Sequence, residues 1–323
     1  MDSGGFPGCF RAQRFTPSLP MNLPLLFCLA LGAGTVARAA AVRTDVEYGT
    51  AAGVSLRLDA WVPDGPGPFP AVILVHGGGW NAGDKSGGPQ KGYMAPMQEP
   101  LARAGFAWFS INYRLSPKFH YPAPVEDVET AIRWVKAHAA EYHVDVTRLA
   151  LSGESAGGHL VALAAVRADE STRVAAVVPF YGIFDFEAEQ KRRGPVIASS
   201  FAGLFDRTTL DEATLQIMHE ASPINLVKSG QPPFLFVHGT ADESVAYAQS
   251  VAMFARLHAA HVPADIILIP NGPHGMLPWP PLAPDFKDRV VAWLRTTLKV
   301  PDATTAAVPA EPGNGTPAPQ ANP

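Results

Sequence analysis

The chain has 323 residues, of which 47% are hydrophobic and 17% are charged, so it is long enough to bury a large single core. Its formal net charge of −4 at pH 7 argues against a nucleic-acid partner, because phosphate backbones attract an excess of Lys and Arg. The composition is typical of a globular domain of enzyme size.

The first 40 residues have the pattern of a secretory signal peptide. Arg11 and Arg14 precede an apolar run over residues 23–31, and residues 37–40 (ARAA) supply an A-x-A cleavage signal. The apolar run is too short to span a bilayer, so we expect no stable membrane anchor. The pattern predicts a secreted or periplasmic protein. Whether translation starts at Met1 or at Met21 is left open, because a start at Met21 removes the positive segment.

Both cysteines of the chain, Cys9 and Cys28, lie in that presequence. The mature protein would therefore have no disulfide, no thiol nucleophile and no Cys-zinc site. The histidines do not form a recognised metal-ligand spacing either. We accordingly predict neither a metal site nor a cofactor.

Apolar β-rich runs alternate with helix-like segments through residues 41–300, the predicted catalytic domain. The strand-like runs are at 54–62, 71–76, 106–111, 148–152, 173–180, 233–238 and 264–269, and the helix-like segments include 125–140, 156–167, 246–260 and 285–298. This alternation predicts an α/β fold, with a mostly parallel sheet covered by helices on both faces. Residues 301–323 are rich in Pro and Ala and predict a disordered tail.

A glycine loop follows the second strand-like run. The apolar residues 71–75 (AVILV) lead directly into His76-Gly77-Gly78-Gly79-Trp80. Fixed backbone N–H groups stabilise the oxyanion of a tetrahedral intermediate, and glycines let the backbone approach it closely. We therefore predict that the amides of Gly78 and Gly79 belong to an oxyanion hole. A surface turn without this function is the alternative.

A G-x-S-x-G pentapeptide follows the fourth strand-like run. Residues 153–157 (GESAG) stand between an apolar strand-like run and an apolar helix-like segment. A serine on such a tight turn is held over the carboxyl edge of the sheet, and the amide of the next residue is a further oxyanion donor. The context predicts Ser155 as a nucleophile and the Ala156 amide as the third donor. An ordinary glycine-rich turn is the alternative.

Together with residues 112–117 (NYRLSP) and 122–128 (PAPVEDV), the HGGGW and GESAGG motifs resemble the carboxylesterases of the α/β-hydrolase superfamily. The sequence is most similar to esterases that remove acetyl and feruloyl groups from plant polysaccharide, which share a G-D-K like Gly83-Asp84-Lys85, and it also resembles hormone-sensitive-lipase-like esterases. The resemblance covers about residues 42–299. It implies an α/β-hydrolase fold with a sheet of about eight strands and a Ser-His-Asp acyl-enzyme mechanism.

In the chain order of this superfamily, the catalytic acid and the histidine follow the serine at the ends of later strands. Asp242 follows the sixth strand-like run, and His274 follows the seventh. Histidine suits the base because its ordinary pKa of about 6.5 lets it take and return a proton, while a carboxylate fixes its tautomer. Glu243 is the rival acid, but the H-G-x-x-D-x-x-V spacing of the family favours Asp242.

Two tryptophans and a long connection border the predicted site. Trp80 directly follows the oxyanion glycines, and Trp279 lies shortly after His274. If both loops converge on the serine, the two rings would wall a substrate cleft suited to an aromatic acyl group. Packing in the core is the alternative for each ring. Residues 184–226 predict either a small lid, between the sixth and seventh of the about eight strands that the resemblance implies, or a pair of packing helices.

The sequence thus predicts a secreted serine carboxylesterase that acts on a small-molecule or polysaccharide-linked ester. Short-chain or aromatic esters are expected, with acetyl and feruloyl esters of plant polysaccharide favoured by the resemblance and by export. Three alternatives remain open: an arylformamidase or amidase of the same fold, a polyester or aryl-ester hydrolase, and a catalytically inactive binding module. The oligomeric state is left open.

Overall fold

The computed structural model describes residues 42–87 and 92–300; the predicted signal peptide and the predicted tail lie outside the described residues. Within them, eight strands form a single sheet. The strands are β1 (Arg43–Ala51), β2 (Val54–Trp61), β3 (Phe69–Val75), β4 (Ala107–Ile111), β5 (Val144–Glu154), β6 (Ala176–Phe180), β7 (Phe234–Gly239) and β8 (Ala264–Ile269).

The spatial order of the strands is β1-β2-β4-β3-β5-β6-β7-β8. β2 pairs antiparallel with both β1 and β4, and the remaining pairings are parallel. The mostly parallel sheet confirms the predicted α/β-hydrolase fold. Its parallel arrangement also brings the carboxyl ends of β3, β5, β6, β7 and β8 to one edge, where the loops after these strands meet.

Helices cover both faces of the sheet. They are α1 (Ala95–Arg103), α2 (Ala123–Ala137), α3 (Ala156–Val166), α4 (Phe186–Arg193), α5 (Ser199–Phe205), α6 (Glu212–Ala221), α7 (Ala248–Ala259) and α8 (Phe286–Thr297). In β3, Ile73 and Val75 join the core cluster that contains α2 and α3, whereas Val72 and Leu74 join the cluster that contains α1 and α8. Burial on both faces explains why β3 is apolar throughout. Across the described ranges, the helices are too short or too polar to cross a membrane.

Outside the connection between β6 and β7, the described elements β1 and α1 were not predicted from the sequence. β1 is an edge strand in which Tyr48 alone is buried, so its sequence shows no continuous apolar run. α1 contains Pro100 in its interior, and proline ordinarily argues against a helix because it removes a backbone donor. In both cases the packing of neighbouring elements outweighs a weak local signal.

The connection between β6 and β7 carries α4, α5, α6 and a short 3₁₀ turn at Pro223–Leu226. Its rings at Phe186 and Phe201 are fully buried and pack edge-on against each other, with centroids 5.0 Å apart. Met218 of α6 is buried in the same core cluster. The insertion is therefore packed onto the body of the sheet by apolar contacts.

Candidate active site

Ser155 occupies a strained turn between β5 and α3. Its backbone has φ 53° and ψ −116°, a conformation that costs energy for a residue with a side chain. The Ser155 amide donates to the carbonyl of Phe180 at 2.9 Å, which holds the turn in place. A Cβ at Gly153 would collide with the Gly157 carbonyl, and one at Gly157 would collide with the Val75 carbonyl. Glycine is thus required for β3, β5 and α3 to approach this closely.

Three predicted residues from distant parts of the chain form one hydrogen-bonded relay. The Ser155 hydroxyl donates to Nε2 of His274, with Oγ and Nε2 3.0 Å apart. Nδ1 of His274 donates to Oδ2 of Asp242 at 2.7 Å. Glu243, the rival acid, is exposed and lines a separate hollow beside His274. The structure therefore places Asp242, rather than Glu243, against the imidazole.

The Asp242 carboxylate is buried, and both of its oxygens have hydrogen-bond partners. Its Oδ1 accepts the amides of Ser244 and Val245, each at 2.9 Å, and its Oδ2 lies 3.3 Å from Nε2 of His238. Burial alone would raise the pKa of Asp242, but the hydrogen bonds from His238 and His274 outweigh it and hold the pKa well below its usual range. The carboxylate stays ionised at neutral pH and can orient the imidazole of His274.

His238 is a neighbour of the relay that was not singled out from the sequence. Its side chain is fully buried. Nδ1 accepts from the Ser250 hydroxyl at 2.8 Å, and Nε2 donates to the Val245 carbonyl at 3.0 Å. In the tautomer implied by these partners, Nε2 carries the proton and also lies 3.3 Å from Oδ2 of Asp242. The H-G-x-x-D motif that His238 begins was the available signal for this contact.

The predicted oxyanion donors are backbone amides of residues near Ser155. Gly78 and Gly79 line the same cavity as Ser155, and their φ angles of 98° and 61° require glycine or a strained residue. Within the described residues, their amides donate no hydrogen bond. Ala156 begins α3, so its amide is one of the first-turn donors without an intrahelical acceptor. All three predicted donors are thus free to bind an anion.

A buried carboxylate beside the nucleophile joins three loops. Oε1 of Glu154 accepts the Gly77 amide at 2.8 Å, and Glu154 also accepts the Tyr181 hydroxyl. That hydroxyl in turn accepts the Met276 amide, while the Tyr181 ring packs edge-on against His274 at 4.8 Å between centroids. Burial raises the pKa of Glu154, although these bonds and the charge of His274 oppose the shift. Tyr181 was not predicted from the sequence, although it directly follows β6.

The cavity above Ser155 has a volume of about 440 Å³. Its apolar walls come from Tyr93 and from the loop after His274, through Met276, Leu277 and Pro278. Leu277 is half exposed at the mouth. Among residues 42–87 and 92–300, no group of three or more His, Cys, Asp or Glu side chains is arranged to hold a metal ion.

The prediction that Trp80 and Trp279 wall this cavity is wrong. Trp80 is 2% exposed, and its indole N–H donates to Nδ1 of His159 at 3.2 Å. Trp279 is fully buried, packs edge-on against Tyr181 and donates to the Pro273 carbonyl at 2.9 Å. Both rings bury a large apolar surface while their N–H groups find acceptors, and this combination favours the core. The cavity instead takes its aromatic lining from Tyr93 and Tyr181.

Comparisons with known proteins bear on the family and the fold of this chain. The model of the BD-FAE family matches residues 58–257, a range that includes Gly78, Gly79, Ser155 and Asp242. The chain is 35% identical over 222 residues to the probable carboxylic ester hydrolase LipM of Mycobacterium tuberculosis, a match covering 64% of the chain and 49% of LipM. It is 34% identical over 269 residues to the esterase LipQ of the same organism, covering 79% of the chain and 61% of LipQ. The chain thus spans only about half to three-fifths of these two relatives.

Solved structures show the same architecture. A truncated carbohydrate esterase from gut microbiota superposes with a TM-score of 0.69 and 27% identity, covering 80% of this chain and 96% of that protein. The esterase Est2 of Thermogutta terrifontis superposes with a TM-score of 0.65 and 21% identity, covering 81% and 96%. The second likeness concerns the fold alone.

Proposed function

This chain belongs to the BD-FAE family within the α/β-hydrolase superfamily, and from that premise we propose that it is a carboxylic ester hydrolase acting through Ser155, His274 and Asp242. The observation that carries the proposal is the relay from the serine hydroxyl to the imidazole and on to the carboxylate, over 3.0 Å and 2.7 Å. The esterase names of LipM and LipQ support the same activity.

Acylation begins with attack of Ser155 Oγ on the ester carbonyl carbon. The hydroxyl proton passes to Nε2 of His274, and Asp242 stabilises the imidazolium that forms. The carbonyl oxygen becomes negative and is held by the amides of Gly78, Gly79 and Ala156; one such donor typically contributes about 2.7–4 kcal/mol to the transition state. These donors need no reorganisation, because the turn already holds them in place.

Collapse of the tetrahedral intermediate releases the alcohol. His274 returns its proton to the alcohol oxygen as the carbon–oxygen bond breaks, which leaves the acyl group on Ser155. Water then attacks the acyl carbon and gives a proton to Nε2 of His274, while the same amides hold the second oxyanion. As the bond between the acyl carbon and Ser155 Oγ breaks, His274 returns this proton to Oγ. The products are one carboxylic acid and one alcohol, and the enzyme returns to its starting protonation state.

We extend the proposal to short-chain or aromatic acyl groups, with acetyl and feruloyl esters of plant polysaccharide favoured. The cavity of about 440 Å³ with the Tyr93 and Tyr181 rings in its wall supports an acyl group of this size. The likeness to a carbohydrate esterase supports a sugar ester. Export guided by residues 1–40 would place the enzyme beside polysaccharide, which lies outside the cell.

The triad assignment is tested by variants of the full chain. Ser155→Ala and His274→Ala should each lower kcat by several orders of magnitude, because the groups act as one unit, and Asp242→Asn should lower it somewhat less. Glu243→Gln is the matched control and should stay near wild type, since its side chain is exposed and the partner of His274 Nδ1 is Asp242. Loss of activity in Glu243→Gln with retention in Asp242→Asn would show that the acid is misassigned.

A substrate panel separates the alternatives that the sequence leaves open. We expect hydrolysis of p-nitrophenyl acetate, methyl ferulate and acetylated xylan, with less activity on octanoyl esters. Faster turnover of N-formylkynurenine than of any ester would favour an amidase. A serine-directed phosphonate should label Ser155; no labelling and no turnover together would favour a binding module.

A further inference from the structure

The insertion between β6 and β7 reaches the acid of the relay through two arginines at the end of α4. Nη2 of Arg193 donates to the Ser244 carbonyl at 2.6 Å, and Nη2 of Arg192 donates to the same carbonyl oxygen at 3.1 Å. Ser244 stands two residues after Asp242. One backbone carbonyl thus accepts from two cations that belong to a separate segment.

A buried carboxylate holds both arginines in position. Glu189 is fully buried, one turn earlier in α4. Oε1 of Glu189 lies 2.6 Å from Nη2 of Arg192 and 2.9 Å from Nε of Arg193, and its Oε2 accepts Nε of Arg192 at 3.1 Å. A buried charge is costly unless it stays paired. The arginines therefore cannot leave the Ser244 carbonyl without also exposing or unpairing Glu189.

The bonded carbonyl belongs to the same peptide unit as an amide that binds Asp242. The Ser244 carbonyl and the Val245 N–H share one planar peptide group, and this N–H donates to Oδ1 of Asp242 at 2.9 Å. The Ser244 amide donates to the same Oδ1 at 2.9 Å. A continuous chain of bonds therefore runs from the guanidinium groups through one peptide to the carboxylate. Hydrogen bonds connected in this way polarise and strengthen one another.

We propose that Glu189, Arg192 and Arg193 form an arginine brace, a positioning device that holds the Asp242 carboxylate at the correct distance from His274. The proposal rests on the proposed catalytic role of the relay. The three side chains act on Asp242 through the Ser244–Val245 peptide and do not line the cavity above Ser155. The insertion therefore supports catalysis by fixing the loop after β7 that carries Asp242, and it does not act as a moving lid.

The double variant Arg192→Gln/Arg193→Gln of the full chain tests the brace. We expect kcat to fall by between about tenfold and about a hundredfold, as for a small misplacement of a catalytic group. KM should change by less than about threefold for acetyl and hexanoyl esters alike, since the cavity walls are untouched. The proton NMR resonance of the His274 Nδ1–H···Asp242 bond, expected far downfield, should move upfield or broaden. Lys191→Gln, which removes an adjacent exposed cation outside the brace, should leave all three quantities unchanged.

Two outcomes would overturn the proposal. If kcat and the resonance are both unchanged, the arginines do not position Asp242. If the only effect is a changed KM for the longer ester, the insertion contacts the substrate and does not act on the acid. If the double variant fails to fold, Arg193→Lys carries the test. It keeps the charge but cannot reach Glu189 and Ser244 at once, so kcat and the resonance should still change. A wild-type chain that hydrolyses no ester would contradict the proposed function, whereas an active wild type with an unaffected variant contradicts only the brace.

Discussion

His159 is a buried histidine in the helix that follows Ser155, and it makes the stability of the fold depend on pH. Nδ1 accepts the indole N–H of Trp80 at 3.2 Å, and Nε2 donates to the Ala221 carbonyl at 2.8 Å. Burial lowers the pKa of His159 to about 4, although the bond to Ala221 opposes the shift. The imidazole therefore stays neutral in the folded protein near pH 6.5, where an exposed histidine takes up a proton.

The size of the effect follows from the two pKa values. His159 has a pKa of about 4 when folded and about 6.5 when unfolded, so the unfolded chain binds more protons between these values. The stabilisation is fully present above the unfolded pKa and is lost as pH falls toward the folded pKa. From pH 7 to pH 5 the free energy of unfolding should fall by about 2 kcal/mol for this residue. Burial also lowers the pKa of His76 to about 4, which adds a similar loss.

Urea unfolding at pH 7, 6 and 5 measures this prediction, with His159→Gln as the variant. Glutamine can accept from Trp80 and donate to Ala221, but it does not titrate. We expect His159→Gln to be less stable than wild type at pH 7. Between pH 7 and pH 5 its free energy of unfolding should fall by about 2 kcal/mol less than that of wild type. His143→Asn, at an exposed position, should keep the wild-type loss. Equal losses in wild type and His159→Gln would refute the reasoning.

Two further predictions concern the turn around the nucleophile. Glu154→Met leaves the buried Gly77 amide without its acceptor, so it should lower the unfolding free energy by about 1–3 kcal/mol and should also lower kcat. Glu154→Gln keeps a carbonyl oxygen and should retain most of the stability and most of the activity. Identical urea midpoints and rates for the two variants would contradict the role of this bond. Gly157→Ala drives a methyl group into backbone at the end of β3 and should lower the unfolding free energy by about 1–3 kcal/mol. Gly203→Ala, whose methyl meets only the end of a side chain at 3.3 Å, is its control, and an equal shift in Tm for both would show that the turn is not closely packed.

Strands buried on both faces could be predicted from the sequence because such strands are apolar at every position. β3 is the clearest example, since the run at 71–76 ends within a residue of the observed strand. β1 escaped prediction because it lies at the edge of the sheet, where one face is wet and polar residues are tolerated. The helices of the insertion gave no strong periodic signal, since most of α4 is polar and α5 has only seven residues.

The positions of Ser155, Asp242 and His274 could be predicted because each follows a recognisable strand, and the carboxyl ends of parallel strands meet at one edge. Their catalytic roles stay a proposal until the variants are measured. The same local reasoning failed for Trp80 and Trp279, because a position next to a site in sequence does not decide which way a side chain points. Both rings turned into the core, where their apolar surface is buried.

What the sequence by itself determined is thus the alternation of the buried strands with helices, the tight turn at Ser155 and the glycines that the close approach of backbones requires, because periodicity and steric limits act over a few residues. Only the tertiary structure decided that Tyr93 and Tyr181 line the cavity, that His238 lies against Asp242, and that Arg193 reaches the Ser244 carbonyl. These contacts depend on the relative placement of whole elements. Packing of the core sets that placement, and no local pattern in the chain records it.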